Sequence, residues 1–205
     1  MIAHRYLAKL LYAPFPQLIW RGSDKQSIYL TFDDGPFDSI TSQVLDILNR
    51  YNVPATFFLS GDALEKCSDL PDYSGHAVGN HLYTHRPQFG FNSDLLREEI
   101  CKTSQLISER LDRTPSLCRP PYGVFSARYQ KALQDTQQQL VLWTLMANDF
   151  KWPAERVLKH LKKQTRPGDI LVFHDSLKAA ECIIDVLPQF IEFCQARGWR
   201  FGLIE

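Results

Sequence analysis

From residue 27 onward the chain alternates short apolar runs with longer amphipathic ones. No other feature constrains the fold as tightly. Strand–helix alternation places successive strands parallel, in one sheet that is either open or closed into a barrel. The strand-like runs are 28–32, 55–60, 77–79, 116–119, 139–145, 169–173 and 199–204. In the first, Ile28, Leu30 and Phe32 alternate with Tyr29 and Thr31; the second is continuously apolar, as in a strand covered on both faces. Between them, 40–51, 93–111, 126–138, 154–163 and 178–197 read as helices. The first gathers Val44, Leu45, Ile47 and Leu48 on one side, with Asp38 and Ser39 placed to cap it. The second carries Asp94, Glu98 and Glu99 early and Arg110 and Arg113 late, as the helix dipole favours. Pro153 suits the first turn of the fourth, Pro188 predicts a bend in the last, and Gly198 ends it. Seven strands without linker or repeat predict one α/β domain over 27–205, with 1–26 as an N-terminal extension packing on it.

The 205 residues suffice for one domain with a substantial core. Lys and Arg number 23, as do Asp and Glu, so no global field favours nucleic acid. The basic stretch 159–163 reads as a solvated helix face. Cysteines at 67, 101, 118, 182 and 194 are odd in number and lack C-x-x-C spacing. That predicts free thiols in a reducing compartment, with Cys101, Cys182 and Cys194 as small core residues of helices. Residues 1–12 contain no long apolar stretch and no cleavage pattern follows, so neither a signal peptide nor a membrane span is expected. A short amphipathic helix is expected there, packed on the barrel, with contact to a membrane surface as the alternative. A cytoplasmic monomer is the resulting expectation.

In parallel α/β folds functional groups gather at the carboxyl ends of strands. Here those ends carry Asp33 and Asp34, His81, Arg119, Asp149 and His174. Adjacent ionised carboxylates repel, so Asp33–Asp34 calls for a nearby cation or a retained proton. His81 and His85 are four apart, which on a helical turn points both rings the same way. Two imidazoles and one carboxylate form a three-ligand set with room for water, as in catalytic zinc sites, where bound water has a pKa of roughly 7. Side chains alternate along a strand, so the two aspartates divide the work, one as ligand and the other as general base. His174 could protonate a leaving group while Asp149 holds its ring. Arg119 could pair with one aspartate, and Pro120–Pro121 stiffen the approach to Tyr122. His4, His76 and His160 have no such neighbours. The same ligand set also occurs in non-haem iron oxygenases, and a non-catalytic sugar- or metal-binding barrel is a third reading.

Five stretches taken together resemble the polysaccharide deacetylases, the NodB-homology or carbohydrate esterase family 4 proteins. They are Thr31-Phe32-Asp33-Asp34-Gly35-Pro36, Asn80-His81-Leu82-Tyr83-Thr84-His85, Arg119-Pro120-Pro121-Tyr122-Gly123, Trp143 through Asp149-Phe150, and Val172-Phe173-His174. The resemblance runs from about Tyr29 to the C-terminus. It implies a distorted (β/α)7 barrel that removes acetyl groups from N-acetylated carbohydrates. It further implies Asp33 as general base oriented by Arg119, and His174 as general acid supported by Asp149. Asp34, His81 and His85 would hold zinc or another divalent ion such as cobalt, nickel or manganese. The ion and the Tyr122 backbone N–H would stabilise the oxyanion, with Phe150 and Val172 around the acetyl methyl. Three departures bear on substrate choice, with O-acetyl esters still open. Phe150 stands where members often have tryptophan, Met146 stands where many have an acid, and 62–74 is short.

Overall fold

The computed structural model describes Phe15, residues 18–86 and residues 92–204. Strand β1 (Ser27–Asp33) is buried along its whole length and lies at the centre of the sheet. β2 (Ala55–Leu59) pairs with it on one side, and β3 (Ala77–Asn80), β4 (Leu117–Cys118) and β5 (Gln139–Leu140) follow outward. On the other side lie β7 (Ile170–His174) and then β6 (Leu145–Met146). β8 (Arg200–Phe201) pairs with the first residues of β1, ahead of β7. All of these pairings are parallel, as the alternation demands.

The two ends of the sheet, β5 and β6, belong to one segment, so the sheet curls into a distorted barrel. Val141 N–H reaches Cys118 O of β4 (2.8 Å), while Thr144 N–H and Ala147 N–H reach Ile170 O and Val172 O of β7 (2.9 and 3.0 Å). The segment expected as a single strand over 139–145 is therefore divided. Ile19 intervenes: its N–H bonds Leu140 O and its carbonyl accepts Leu142 N–H, forming a bridge with Val141. The Thr144 hydroxyl then accepts the Ile170 N–H in place of a backbone carbonyl (2.8 Å).

Among the described residues six helices pack around the sheet: α1 (Asp38–Arg50), α2 (Gly61–Lys66), α3 (Ser93–Leu111), α4 (Ala127–Thr136), α5 (Ala154–Gln164) and α6 (Ala180–Gln195). The main core lies between sheet and helices. Ile28, Leu30 and Phe32 of β1 meet Val44 and Leu48 of α1 and Ile183, Leu187 and Phe190 of α6. The Phe32 ring is stacked between Phe57 (4.9 Å) and Phe173 (5.6 Å). Burying each such side chain stabilises the fold by roughly 1.5–3 kcal/mol. The alternate residues Tyr29, Thr31 and Asp33 are left for the barrel interior, where Tyr29 joins Phe58, Leu117, Val141 and Ile170.

Local details differ from expectation for identifiable reasons. Neither Asp38 nor Ser39 caps α1. Phe37 is the N-cap, and its N–H is taken by the Thr41 hydroxyl (2.8 Å) one turn on. Pro153 occupies the N-cap of α5 rather than its first turn. Cys101 is exposed because the buried stripe of α3 is Leu96, Ile100, Thr103 and Ile107; Cys182 is half-buried and Cys194 buried, and all five cysteines are free thiols. The helix expected over 1–12 and His4 lie outside the described residues. Among the described residues no helix is long and apolar enough to cross a membrane.

Candidate active site

The residues singled out at strand ends converge on one cleft of about 500 Å³. Asp33, Asp34, His81, His85 and His174 form its polar part, while Tyr122, Trp143, Met146, Phe150 and Leu177 form apolar walls. Arg119 and Asp149 stand behind this layer, almost wholly buried. Val172 is different. It is fully buried within β7 and does not line the cleft, whereas Met146, its register partner on β6, does.

Arg119 follows β4 and spans the barrel interior. One guanidinium nitrogen donates to Asp33 Oδ1 (2.7 Å) and to the Thr31 hydroxyl (2.6 Å), and the other to Leu142 O (3.1 Å). The guanidinium also lies over the Phe58 ring at 4.1 Å. Burial pushes its pKa down from the usual range, and the Asp33 charge pushes it back up. Asp33 therefore has a fixed orientation and a permanent counter-charge.

His81 ends the β3 ladder, its N–H bonded to Leu59 O at 2.8 Å. The segment carrying His81 and His85 is a bent loop, not the helical turn expected from the spacing, and Leu82 between them sits at φ +62°. The Asn80 side chain accepts the Leu82 N–H (2.8 Å) and donates to Ile100 O (2.8 Å). The Glu99 carboxylate accepts the N–H groups of Tyr83 (3.1 Å) and Thr84 (2.6 Å). Glu99, which the sequence presents only as an acid of α3, thus shapes the histidine loop.

His81 Nδ1 pairs with Arg119 O at 2.8 Å, so the proton belongs on Nδ1 and the Nε2 lone pair faces the cleft. Burial pushes the His81 pKa down, which keeps that lone pair available. His85 Nε2 and His81 Nε2 lie 3.1 and 3.6 Å from Asp34 Oδ1. No N–H is directed at this oxygen, which is buried without a hydrogen-bond partner. Burial pushes the Asp34 pKa up, but the close His85 and the charges of His81 and His174 outweigh this and bring it to about 2. One ligand atom from each of Asp34, His81 and His85 lies within 4.8 Å of the others. An anionic oxygen lacking a donor and an imidazole nitrogen with its lone pair inward are the groups a divalent cation requires, so this donor set fits one.

His174, at the end of β7, is the register partner of Asp33. Asp149 holds it twice, with Oδ1 on the ring Nδ1 (2.8 Å) and Oδ2 on the backbone N–H (2.7 Å). Burial pushes the His174 pKa down, but the Asp149 bond and charge, with Asp33 and Asp34, raise it to about 9. Phe150 packs edge-on against the His174 ring at 4.9 Å. Tyr122 sits at φ +60° with its ring 4.7 Å from that of His85. His76 bonds Asn49 away from the cleft, whereas His160 approaches Met146 O (3.2 Å) behind the wall. One further carboxyl adjoins the site. Asp175 is fully buried and accepts from Gly35 N–H and the Thr41 hydroxyl; burial, chiefly, raises its pKa to about 7.

Residues 21–141 match the family model described as polysaccharide deacetylase. A peptidoglycan-N-acetylglucosamine deacetylase of Bacillus cereus is 31% identical over 183 residues, covering 87% of this chain and 66% of that protein. The chain thus spans just under two thirds of that relative. A solved peptidoglycan N-acetylglucosamine deacetylase structure is similar with a TM-score of 0.86 at 28% identity, covering 96% of this chain and 94% of that one. A solved CE4 family pseudoenzyme from Bacillus anthracis is similar with a TM-score of 0.83 at 26% identity, covering 91% and 67% of the two chains.

Proposed function

The chain belongs to the polysaccharide deacetylase family, and on that premise we propose that it removes acetyl groups from N-acetylated amino sugars by metal-dependent hydrolysis. The observation that carries this reading is one cleft that holds a carboxylate fixed by an arginine, a donor set for a cation and an imidazole held by a buried carboxylate. Asp33 is the general base. Its ion pair with Arg119 keeps it aimed, and it takes a proton from the attacking water. The water oxygen bonds to the acetyl carbon as the carbonyl becomes an oxyanion. The Tyr122 backbone N–H donates to that oxyanion. His174 is the general acid, with its Nδ1 proton committed to Asp149 and its Nε2 proton given to the departing amine as the C–N bond breaks. The products are acetate and a free amino sugar. Asp34, His81 and His85 hold the divalent ion, zinc in this reading, which when bound supplies Lewis-acid polarisation and acidifies water.

We assign residues 27–205 to the deacetylase domain and 1–26 to an N-terminal extension, of which Leu18 and Ile19 pack on that domain. Leu18, buried beside Tyr129 and Leu140, and the Ile19 bridge support this. Because the fold is shared with a pseudoenzyme, acetate release is the deciding assay. Zinc-loaded protein incubated with N-acetylglucosamine oligomers is expected to release acetate and leave free amines. Sugar binding without acetate release, under zinc, cobalt, nickel and manganese alike, would contradict the assignment.

A further inference from the structure

In a straight strand Asp33 and Asp34 would face opposite sides of the sheet. Both nevertheless line the same cleft. The chain departs from strand geometry at Asp34, whose φ of +86° lies where residues with a side chain rarely sit. Such a backbone persists only where its surroundings over-determine it. Three hydrogen bonds hold the Asp34–Gly35 unit. Asp175 Oδ1 accepts the Gly35 N–H (3.1 Å), the Ser60 hydroxyl donates to Asp34 O (3.1 Å), and Ser60 N–H donates to Gly35 O (3.0 Å).

Asp175 is itself tightly placed. Its Oδ2 accepts the Thr41 hydroxyl (2.6 Å), and that hydroxyl receives the Phe37 N–H (2.8 Å). Its backbone N–H reaches Asp33 O at 3.4 Å. A Cβ on Gly35 would lie 2.2 Å from Asp175 Oδ2, so the carboxyl packs against a position that has no room for a side chain. A carboxyl fully removed from water is costly to keep, and among the described residues no ion pair offsets it.

We infer, given the metal-ligand role proposed for Asp34, that Asp175 and Ser60 form a clamp that holds Asp34 at positive φ. The clamp turns the Asp34 carboxylate toward His81 and His85 while Asp33 stays on Arg119. Asp175 is a positioning residue, acting through Gly35 rather than touching substrate or ion. It also ties the turn that bears the base to the strand that bears the acid, because His174 precedes it.

The test measures Zn(II) affinity by competition with a chromophoric chelator, together with the visible spectrum of Co(II)-loaded protein. Asp175→Ala is expected to lose about 10–100-fold in affinity and to shift the Co(II) bands. Asp175→Asn, whose amide oxygen can still accept the Gly35 N–H, is expected to restore most of the loss. Should Asp175→Ala fail to fold, Ser60→Ala carries the test, with affinity lowered several-fold and bands shifted. Wild-type affinity and spectrum in Asp175→Ala, or in Ser60→Ala in its place, would overturn the clamp. So would an Asp175→Asn variant as impaired as Asp175→Ala. A wild-type protein that takes up no metal, or an Asp34→Ala variant that binds it normally, would instead overturn the ligand role of Asp34, and the clamp with it.

Discussion

Replacing Asp149 with asparagine isolates what holds the general acid in its working state. Asp149 is the largest influence raising His174, whose pKa stands at about 9 against an ordinary 6.5. Without the carboxylate the two strongest influences raising it are gone, and burial pushes the pKa down toward or below the ordinary range. At pH 7.5 a pKa of about 9 leaves about 97% of His174 protonated, and a return to the ordinary 6.5 would leave about 9%, a loss of roughly tenfold from protonation alone. The asparagine can also turn its amide N–H toward Nδ1, favouring the wrong tautomer and deepening the loss. The assay is acetate release across pH 5.5–10, in roughly half-unit steps, with kcat/KM as the readout. Wild type is expected to keep its activity until pH rises through about 9, and Asp149→Asn to lose it at distinctly lower pH. Folding stability should move in step. His174 binds its proton more tightly folded than unfolded, so its contribution is full below pH 6.5 and is lost as pH rises through about 9. At most this contribution is on the order of 3 kcal/mol, and Asp149→Asn should lack it. An unchanged basic limb in Asp149→Asn would refute His174 as an acid maintained by Asp149.

Other consequences follow from the same contacts. Arg119→Met removes the partner of a buried carboxylate and leaves Thr31, Asp33 and Leu142 O without their donor. Urea unfolding should show a loss of about 3–5 kcal/mol, alongside nearly abolished turnover. Phe32→Ala empties the space between Phe57 and Phe173 behind the site. It should cost about 3–5 kcal/mol in the same assay while leaving zinc stoichiometry unchanged in the folded protein.

The parts of the structure legible in the sequence are those set by periodicity and residue chemistry. Alternation of strand and helix patterns leads to a parallel curled sheet, and side chains at its strand ends then meet in one cleft. What stayed hidden depends on contacts between distant segments. Ile19 splits the strand expected over 139–145, and nothing near Val141 announces that partner. Glu99 reads as an ordinary early-helix acid, yet it accepts the N–H groups of the histidine loop. Alternation along β1 implies that Asp33 and Asp34 should diverge, but it breaks at Asp34 and both line one cleft. The cause lies at Ser60 and Asp175, far along the chain. Val172 has the apolar side chain expected of an acetyl pocket, but it is fully buried within β7 while its register partner Met146 reaches the cleft.

The central claim is that two adjacent aspartates do different work. Asp33→Asn and Asp34→Ala, each purified and zinc-loaded, should be compared for metal content and for acetate release from N-acetylglucosamine oligomers. Asp33→Asn is expected to keep its zinc and lose turnover by about 10²–10⁴-fold. Asp34→Ala is expected to lose the zinc itself. If Asp33→Asn turns over normally, or if Asp34→Ala retains a full complement of metal, the division of labour described here is wrong.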